Sequence, residues 1–454
     1  MLSTITGVFT FVSSGVFIAY VCTIVVPFLS RKRAPAGSRA DFSWHFFVPC
    51  RDEEAVIGNT VRRLRKTFPD AHVWVIDDDS QDATAQVVLS LAEGETGPDP
   101  FIHLVRRYPP NARTGKGDAL NAAYQQLAGW LGRHEFWEKV IVGVVDADGV
   151  LAADCLDVCA AGHLFGDRSV GAVQLEVRML NRDTPPAEGS RWKRWAALKL
   201  VQLQDMEFRT AISAVQHSRA YAGTVAMGGN GQFTRMSALR TIDRGTGQPW
   251  RGLLLEDYEL GLHLLMAGWR TAATSDSYVS QEGLYSFRRF VTQRTRWGQG
   301  TMQCSRYLPS IWRSSHFTEL GVVEASYYLI QPWLQLVGAV LYPIPLVAAL
   351  VATVRDPSIW TSAVSTQTAA FMVIFLVMST APFVVWGIIY QFRCIGKPNL
   401  LSGIGYGLAF TVYVATFYLT SLRAVYRMMR GRHGWAKTRR NAESFNQEGV
   451  AVET

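Results

Sequence analysis

Long uncharged stretches at both ends of the chain enclose a middle region in which short apolar runs alternate with amphipathic ones. Residues 2–29 carry no charge and are long enough as a helix to cross roughly 30 Å of hydrocarbon. Residues 320–353, 366–390 and 398–422 are almost uncharged as well. The pattern predicts an integral membrane protein with one large water-facing region.

The middle region reads as an α/β domain. SWHFFVPC (43–50), HVWVID (72–77) and KVIVGVVDAD (139–148) are short apolar runs typical of buried strands, and AVIGNTVRRLRK (55–66) has the periodicity of an amphipathic helix. Short strands alternating with helices predict a mostly parallel sheet, whose ligands gather at the carboxyl ends of the strands. NRDTPPAEGS (181–190) predicts a loop.

The basic residues adjoin the apolar segments, which indicates the cytoplasmic side of a membrane and anionic lipid, and not nucleic acid. The net charge is +8, and Arg31, Lys32 and Arg33 follow the first apolar run. This order predicts an uncleaved anchor with the N-terminus outside and the next domain in the cytoplasm of a multi-pass plasma-membrane protein. The six cysteines are scattered, so we expect reduced thiols and neither a zinc site nor a disulfide framework.

The apolar C-terminal region allows several topologies. Residues 320–353 are too long for one simple span and include Pro332, Pro343 and Pro345, so they form a kinked helix, an interfacial helix plus a span, or a hairpin. Residues 366–390 and 398–422 read as spans. If each segment crossed once, the basic tail would lie outside, against the positive-inside rule. One segment is therefore expected to double back or to lie in the interface.

These patterns divide the chain into five parts. They are an N-terminal anchor (1–33), a cytoplasmic catalytic domain (34–287), interfacial helices (288–319), a C-terminal membrane region (320–428) and a basic cytoplasmic tail (429–454), the end of which is expected to be disordered.

Two apolar strands end in carboxylates. VIDDDSQD (75–82) and VVDADG (144–149) each place aspartates directly after a strand. Either cluster alone could be an ordinary polar turn. As functional groups, a carboxylate at Asp78 can accept a hydrogen bond from a nucleotide base, and Asp146 and Asp148 can share Mg²⁺ or Mn²⁺ with substrate phosphates.

Two further motifs have a structural and a chemical interpretation. Lys116 in TGKGDALN (114–121) lacks the Walker pattern but is flanked by glycines and could reach a diphosphate, although a plain loop explains it equally well. Glu256 and Asp257 precede a helical pattern. They either cap the helix electrostatically or supply a general base at its N-terminus.

The segment QRTRWGQG (293–300) lies just before the C-terminal apolar region. On a helix Gln293, Arg296 and Trp297 share one face and Arg294 points elsewhere. An amide, a guanidinium and an indole suit a phosphate beside a sugar. The alternative is an amphipathic juxtamembrane helix with a snorkelling arginine and an interfacial tryptophan.

Taken in order, Asp78, Asp146-Ala147-Asp148, Glu256-Asp257 and Gln293-Arg294-Thr295-Arg296-Trp297 resemble the D, DxD, (T/E)D, Q(Q/R)xRW series of membrane-embedded, processive family 2 glycosyltransferases, the cellulose, chitin and hyaluronan synthases and their bacterial relatives. VPCRDEE (48–54), GGNGQFTR (228–235) and WAKTRR (435–440) resemble further motifs of that family. The chain departs from the family at Asp79, where Gly is usual, at Leu255, where Thr is frequent, and in its few spans.

The resemblance implies a GT-A-like catalytic domain and a role for each motif. Asp78 would read the base of a UDP-sugar, with Arg51 and Glu54 as weaker contacts, and Asp148 with Asp146 would hold Mg²⁺ or Mn²⁺. Arg296 and Lys116 would face the diphosphate, and Gln293 would contact the nucleotide sugar. Trp297, Gly229 and Asn230 would bind the acceptor, and Asp257, beside Glu256, would be the general base.

The sequence therefore predicts an inverting, metal-dependent transferase that uses UDP-glucose or UDP-N-acetylglucosamine. It is expected to build a β-linked polysaccharide at the bilayer and to export it. A homo-oligomer is compatible with this prediction. Two alternatives stay open. One is a non-processive transferase that loads a single sugar onto a lipid carrier or short acceptor. The other is a transporter or a non-catalytic nucleotide-sensing membrane protein. Transporters usually need charged residues within their spans, and the spans of this chain carry few, Glu324 being the exception.

Overall fold

The structure is a computed structural model that describes residues 15–94, 97–132, 137–341, 366–396 and 398–432, together with positions 347, 351, 354 and 355. The first half of the expected N-terminal span, the end of the segment 320–353 and the tail beyond residue 432 lie outside the described residues. The interpretations of those parts therefore stay predictions.

The catalytic domain is built on one twisted sheet in the order β3-β2-β1-β4-β7-β6-β8-β5. The strands are β1 (Ser43–Cys50), β2 (His72–Asp78), β3 (Ile102–Arg107), β4 (Val140–Val144), β5 (Val150–Leu151), β6 (Val170–Met179), β7 (Gln232–Arg235) and β8 (Arg270–Gln281). Strands β1, β2 and β4 are almost wholly buried, because helices cover both faces of the sheet. The predicted α/β domain is confirmed, as is the loop at 181–190.

The sheet is less uniform than predicted. Among the described strands, β1, β2, β3 and β4 pair in parallel, whereas β7 runs antiparallel to both β4 and β6. Strand β7 therefore begins at the edge where β4 ends, and it places the preceding Gly228–Asn230 loop beside the carboxyl end of β4. This inserted antiparallel strand is what completes the site described below.

Helices between residues 54 and 266 fill the connections between strands, and two further helices follow β8. They are α2 (Glu54–Thr67), α3 (Thr84–Glu93), α4 (Lys116–Leu131), α5 (Cys155–Cys159), α6 (Arg191–Met206), α7 (Ser213–Ala222), α8 (Met236–Asp243), α9 (Glu256–Met266), α10 (Phe287–Cys304) and α11 (Leu308–Arg313). A π-helical turn, Glu207–Ile212, joins α6 to α7. All six cysteines are free, in agreement with the sequence.

The apolar segments form helices beside this domain. They are α1 (Gly15–Ser30), α12 (Glu319–Leu341), α13 (Thr366–Ile389) and α14 (Leu400–Met429). Within the described residues, α14 is the one helix that is long and apolar enough to cross a membrane by length and composition, and α1 is a shorter apolar helix. The expected multi-pass arrangement stays a prediction.

Helices α13 and α14 pack with their backbones in close contact. A Cβ added at Gly407 would lie 2.3 Å from the Cα of Val384, and one at Gly387 would lie 2.3 Å from the carbonyl oxygen of Gly403. Gly403 and Gly407 are four residues apart and therefore share a face, as in the small-xxx-small contacts of membrane helices. Only glycine permits this approach, so the sequence fixes which faces of α13 and α14 meet.

A buried polar cluster joins α14 to the catalytic domain. Glu207 in the π-helical turn pairs with Arg294 of α10, and the Tyr413 hydroxyl of α14 donates to Glu207 Oε2 (2.6 Å). Arg294 also donates to the Tyr413 oxygen (3.0 Å). Arg294 thus reaches Glu207 and α14, and it also lines the cavity described below, beside the face that the helical spacing predicted for Gln293, Arg296 and Trp297.

Candidate active site

The sequence-predicted carboxylates meet at one edge of the sheet because β1, β2 and β4 are parallel and end there. Asp78 terminates β2, and Asp146 and Asp148 follow β4. Lys116 begins α4, and Asp257 lies in the first turn of α9. All five side chains line a single cavity of about 1340 Å³.

Asp78 is buried and held in place by the loop that follows β3. Its carboxylate forms an ion pair with Arg107 and accepts a hydrogen bond from the backbone N–H of Arg113 (3.0 Å). The next residue, Asp79, has a φ of 60°, a left-handed conformation in which glycine is favoured and aspartate is tolerated. The departure from the usual Gly thus keeps the backbone geometry, and Asp79 adds an ion pair with Arg113 (2.8 Å).

Lys116 links the strand end to the β7 loop. Its Nζ donates to Asp146 Oδ1 and to the Gly229 carbonyl oxygen, both at 2.7 Å. Burial alone would lower the pKa of Lys116, but Asp146, Glu256 and Asp257 raise it, so the ammonium stays charged. A fixed positive charge here suits the negative charge that develops on a departing phosphate.

The GGN loop approaches the carboxylates closely. A Cβ at Gly229 would lie 3.1 Å from both Asp257 Oδ2 and Lys116 Nζ, so a larger residue would have to displace one of them. Asn230 Oδ1 accepts from the Asp146 backbone N–H (3.2 Å), and its amide donates to Gln281 (3.0 Å). The loop therefore places a strip of backbone beside the carboxylates, where an acceptor would lie.

Asp146 and Asp148 fit a divalent cation that shares its coordination with substrate. Asp148 Oδ2 accepts from the Glu282 backbone N–H (3.2 Å), which orients this carboxylate. Within the described residues, no group of three or more histidines, cysteines and acids could hold a metal without help. Mg²⁺ and Mn²⁺ are commonly bound by one or two carboxylates plus phosphate oxygens, and this donor set matches that mode.

At the start of α9, Glu256 is buried and Asp257 is half-buried. Burial raises the pKa of each, and the Asp257 carboxylate raises that of Glu256 further, to about 7, while Lys116 and Arg296 act in the opposite direction. Asp257 Oδ1 accepts from the Tyr258 backbone N–H (2.7 Å). A half-buried carboxylate with a raised pKa and a free edge towards the cavity is suited to accept a proton near neutral pH.

The QRTRW motif lies on α10, and its side chains line the cavity beyond Asp257. Gln293, Arg296 and Trp297 all contribute to the wall, as the shared helical face predicted. The Arg294 guanidinium lies 4.2 Å from the centre of the Trp297 ring, and Phe208 meets the same indole edge-on. These contacts hold the indole in one orientation at the boundary between the carboxylates and the membrane helices.

The cavity continues from this boundary to the apolar helices α13 and α14. Its far wall is largely aromatic and aliphatic and is formed by Pro382, Phe383, Trp386, Phe410, Val414 and Phe417. A second, polar strip consists of Gln331, Gln335, Thr420 and Ser421. One space therefore connects the polar carboxylates with an apolar groove between α13 and α14.

Two residues replace or supplement the sequence-based set. The structure does not bring Glu54 to the cavity, because the Glu54 carboxylate accepts from the Ala83 backbone N–H (2.8 Å) and joins two loops. The buried Glu53 lines the cavity instead, together with Arg51. Gln174, which sequence reasoning missed, clamps the GGN loop by accepting from Gly228 N–H (2.7 Å) and donating to the Asn230 carbonyl (2.9 Å). A lone amide inside an apolar strand was its sequence signal.

Residues 43–300 match the profile of a family described as "Glycosyltransferase like family 2". The chain belongs to this family. Membership of this family favours a glycosyltransferase over the transporter and sensor alternatives for the α/β domain.

The chain is similar to two differently named groups of proteins. The chain is 29% identical over 270 residues to a beta-monoglucosyldiacylglycerol synthase of Synechocystis, covering 59% of this chain and 48% of that protein. It is 27% identical over 236 residues to an N-acetylglucosaminyltransferase of Rhizobium meliloti, covering 51% and 48%. The matches thus span about half the length of these relatives.

A solved structure shares the fold over nearly the whole chain. The mannosyltransferase PcManGT of Pyrobaculum calidifontis, determined with GDP-mannose and Mn²⁺, aligns with a TM-score of 0.55 and 17% identity and covers 95% of this chain and 100% of its own. The similarity supports the GT-A-like fold.

Proposed function

We propose that this protein transfers one hexose from a nucleotide sugar to the hydroxyl group of a membrane lipid. The observation that carries the proposal is the continuity of the cavity, which runs from Asp257 to the apolar groove formed by Phe383, Phe410 and Val414. A lipid can lay its acyl chains along that groove and present its headgroup hydroxyl to Asp257. The similarity to monoglucosyldiacylglycerol synthases supports this acceptor class.

The donor occupies the strand-end side of the cavity in this proposal. Asp78 contacts the base of a UDP-sugar, with Arg51 and Glu53 nearby, and Lys116 and Arg296 face the diphosphate. Asp146 and Asp148 hold Mg²⁺ or Mn²⁺, which when bound neutralises negative charge on the diphosphate.

The reaction is a single displacement. The acceptor oxygen attacks the anomeric carbon while the bond from that carbon to the diphosphate oxygen breaks, and the electron pair leaves with the nucleoside diphosphate. Asp257 takes the hydroxyl proton. Attack from the face opposite the leaving group converts an α-linked donor into a β-linked product. The catalytic domain works on the cytoplasmic face of a multi-pass protein in this proposal.

A matched pair of substitutions on α14 tests the role of the groove. Val414 lines the cavity, whereas Val412 is 71% exposed on the opposite side of the helix. Val414→Trp fills the groove and should reduce transfer to diacylglycerol at least tenfold, while donor affinity is kept. Val412→Trp should leave transfer within about twofold. Equal transfer by the two variants would refute acceptor binding in the groove.

A second candidate is the β-linked polysaccharide predicted from the sequence. Two observations favour it: Trp297 lies at the mouth of the groove, and the strip from Gln331 to Ser421 offers hydrogen bonds to a sugar chain. The similarity to N-acetylglucosaminyltransferases adds support. Product length distinguishes the candidates, because a lipid acceptor receives one hexose and a processive enzyme makes a long chain.

A further inference from the structure

A pair of exposed tryptophans stands at the start of α6. Trp192 and Trp195 are 70% and 48% exposed, and their rings stack with centroids 4.7 Å apart at an interplanar angle of 21°. Ser190 caps the helix by accepting from the Lys193 backbone N–H. The cap fixes the first turn that carries this pair, and within the described part of the chain the two large indoles are presented together on an exposed surface.

The same face of α6 packs against a membrane helix. Trp192, Trp195, Lys199 and Gln202 follow at intervals of three and four residues and therefore form one stripe. At the C-terminal end of the stripe, Lys199 Nζ donates to the Tyr406 hydroxyl of α14 (3.1 Å), and that hydroxyl donates to Gln202 Oε1 (2.7 Å). The tryptophans continue this stripe to the N-terminal end of α6, where both are exposed.

Positive charge surrounds the pair. Arg191 and Lys193 are exposed and Arg194 is half-buried, and Glu188 is the one acid between residues 184 and 204. Indole rings favour the membrane–water interface, and lysine and arginine beside it attract anionic headgroups, each adding roughly a fivefold preference.

We propose that the segment Arg191–Trp195 is a docking surface for anionic phospholipid headgroups of the bilayer next to α14. The indoles enter the interface as a pair, and Arg191, Lys193 and Arg194 contact phosphate. This surface does not depend on which acceptor the active site uses.

Fluorescence quenching by brominated lipids tests the proposal on the full chain in nanodiscs. Two preparations of nanodiscs made of neutral lipid are compared. One contains brominated phosphatidylglycerol and the other contains the same mole fraction of brominated phosphatidylcholine. The contribution of the pair is the quenching lost in the Trp192→Phe/Trp195→Phe variant. We expect this contribution to be at least threefold larger with the anionic lipid, and to become equal for the two lipids in an Arg191→Gln/Lys193→Gln/Arg194→Gln variant.

Trp130→Phe is the matched control, because Trp130 is 52% exposed and lies against His45 and His72 at the opposite edge of the sheet. It should not alter lipid quenching. If the double tryptophan variant is quenched like the wild type, the pair does not meet the membrane. If both lipids quench the pair equally in the wild type, the preference for anionic lipid is refuted. Retained donor turnover in each variant shows that it is folded.

Discussion

At the scale of single residues, most of the site could be predicted because its members are polar groups directly after apolar strands. Asp78, Asp146 and Asp148 were identified in this way, Asp257 was identified from its position before a helical pattern, and the structure brings all four into one cavity. The distinction between Glu53 and Glu54 could not be predicted. The two are adjacent acids at a helix start, and only the position of the Ala83 N–H decides which one is bound by a neighbouring loop.

Asp257 is the residue on which the chemistry depends. Asp257→Asn keeps the shape of the side chain and removes its capacity to take a proton, so turnover should fall by about 10²–10⁴. Donor affinity should change little, because the proposed nucleotide site lies towards Asp78 and Lys116. Turnover and nucleotide-sugar affinity are measured separately. Near-normal turnover would transfer the role to another carboxylate and leave Glu256 and Asp257 as acids in the first turn of α9.

At the scale of elements, β1, β2, β4 and α2 follow from apolar runs and helical periodicity. Strand β7 did not, because Gln232, Thr234 and Arg235 are polar although all are buried. Arg235 is satisfied there by carbonyl oxygens, among them those of Val170 and Phe165. The strand forms because its neighbours supply those partners, which a single-sequence pattern does not show.

The glycine contact between α13 and α14 makes a sharp prediction. Gly407→Ala places a Cβ against Val384 and should lower the free energy of unfolding by about 1–3 kcal/mol. Gly405 lies on the same helix with nothing within 4 Å of an added Cβ, so Gly405→Ala should be neutral or slightly stabilising. Thermal unfolding in detergent compares them. An equal effect of both substitutions would contradict the packing.

Stacked histidines at the other edge of the sheet predict how stability depends on pH. Burial, and to a smaller extent the neighbouring histidines, lowers the pKa of His45 to about 3; burial and His103 lower that of His72 to about 4. Both are therefore neutral when folded but take up protons below pH 6.5 when unfolded. Stability should fall as the pH drops from about 6.5 towards 4, by roughly 1.4 kcal/mol per pH unit for each histidine.

His72→Phe isolates this contribution from that of the carboxylates. It keeps an aromatic ring against His45, whose ring centroid lies 4.8 Å from that of His72, and removes one titrating group. The slope of the unfolding free energy against pH between 6 and 4.5 should decrease by the contribution of one histidine, roughly 1.4 kcal/mol per pH unit. An unchanged slope would show that His72 is protonated in the folded state.

At the scale of the whole molecule, the cavity joins parts that are far apart in the chain. The sequence indicated a cytoplasmic domain and a membrane region separately, and the QRTRW motif placed their boundary. It did not indicate that Phe383, Phe410 and Val414 continue the active-site cavity, because their apolar side chains look like those of any span. The groove between α13 and α14 is therefore what changes the expected acceptor from a polysaccharide to a lipid.

The mass of the product tests this account most directly. The purified protein is incubated with UDP-glucose or UDP-N-acetylglucosamine, Mg²⁺ or Mn²⁺, and diacylglycerol in mixed micelles, and the organic phase is analysed by mass spectrometry. We predict a diacylglycerol carrying one β-linked hexose, formed by the wild type and lost in Asp257→Asn. A water-soluble polymer with an unmodified lipid fraction would contradict the account.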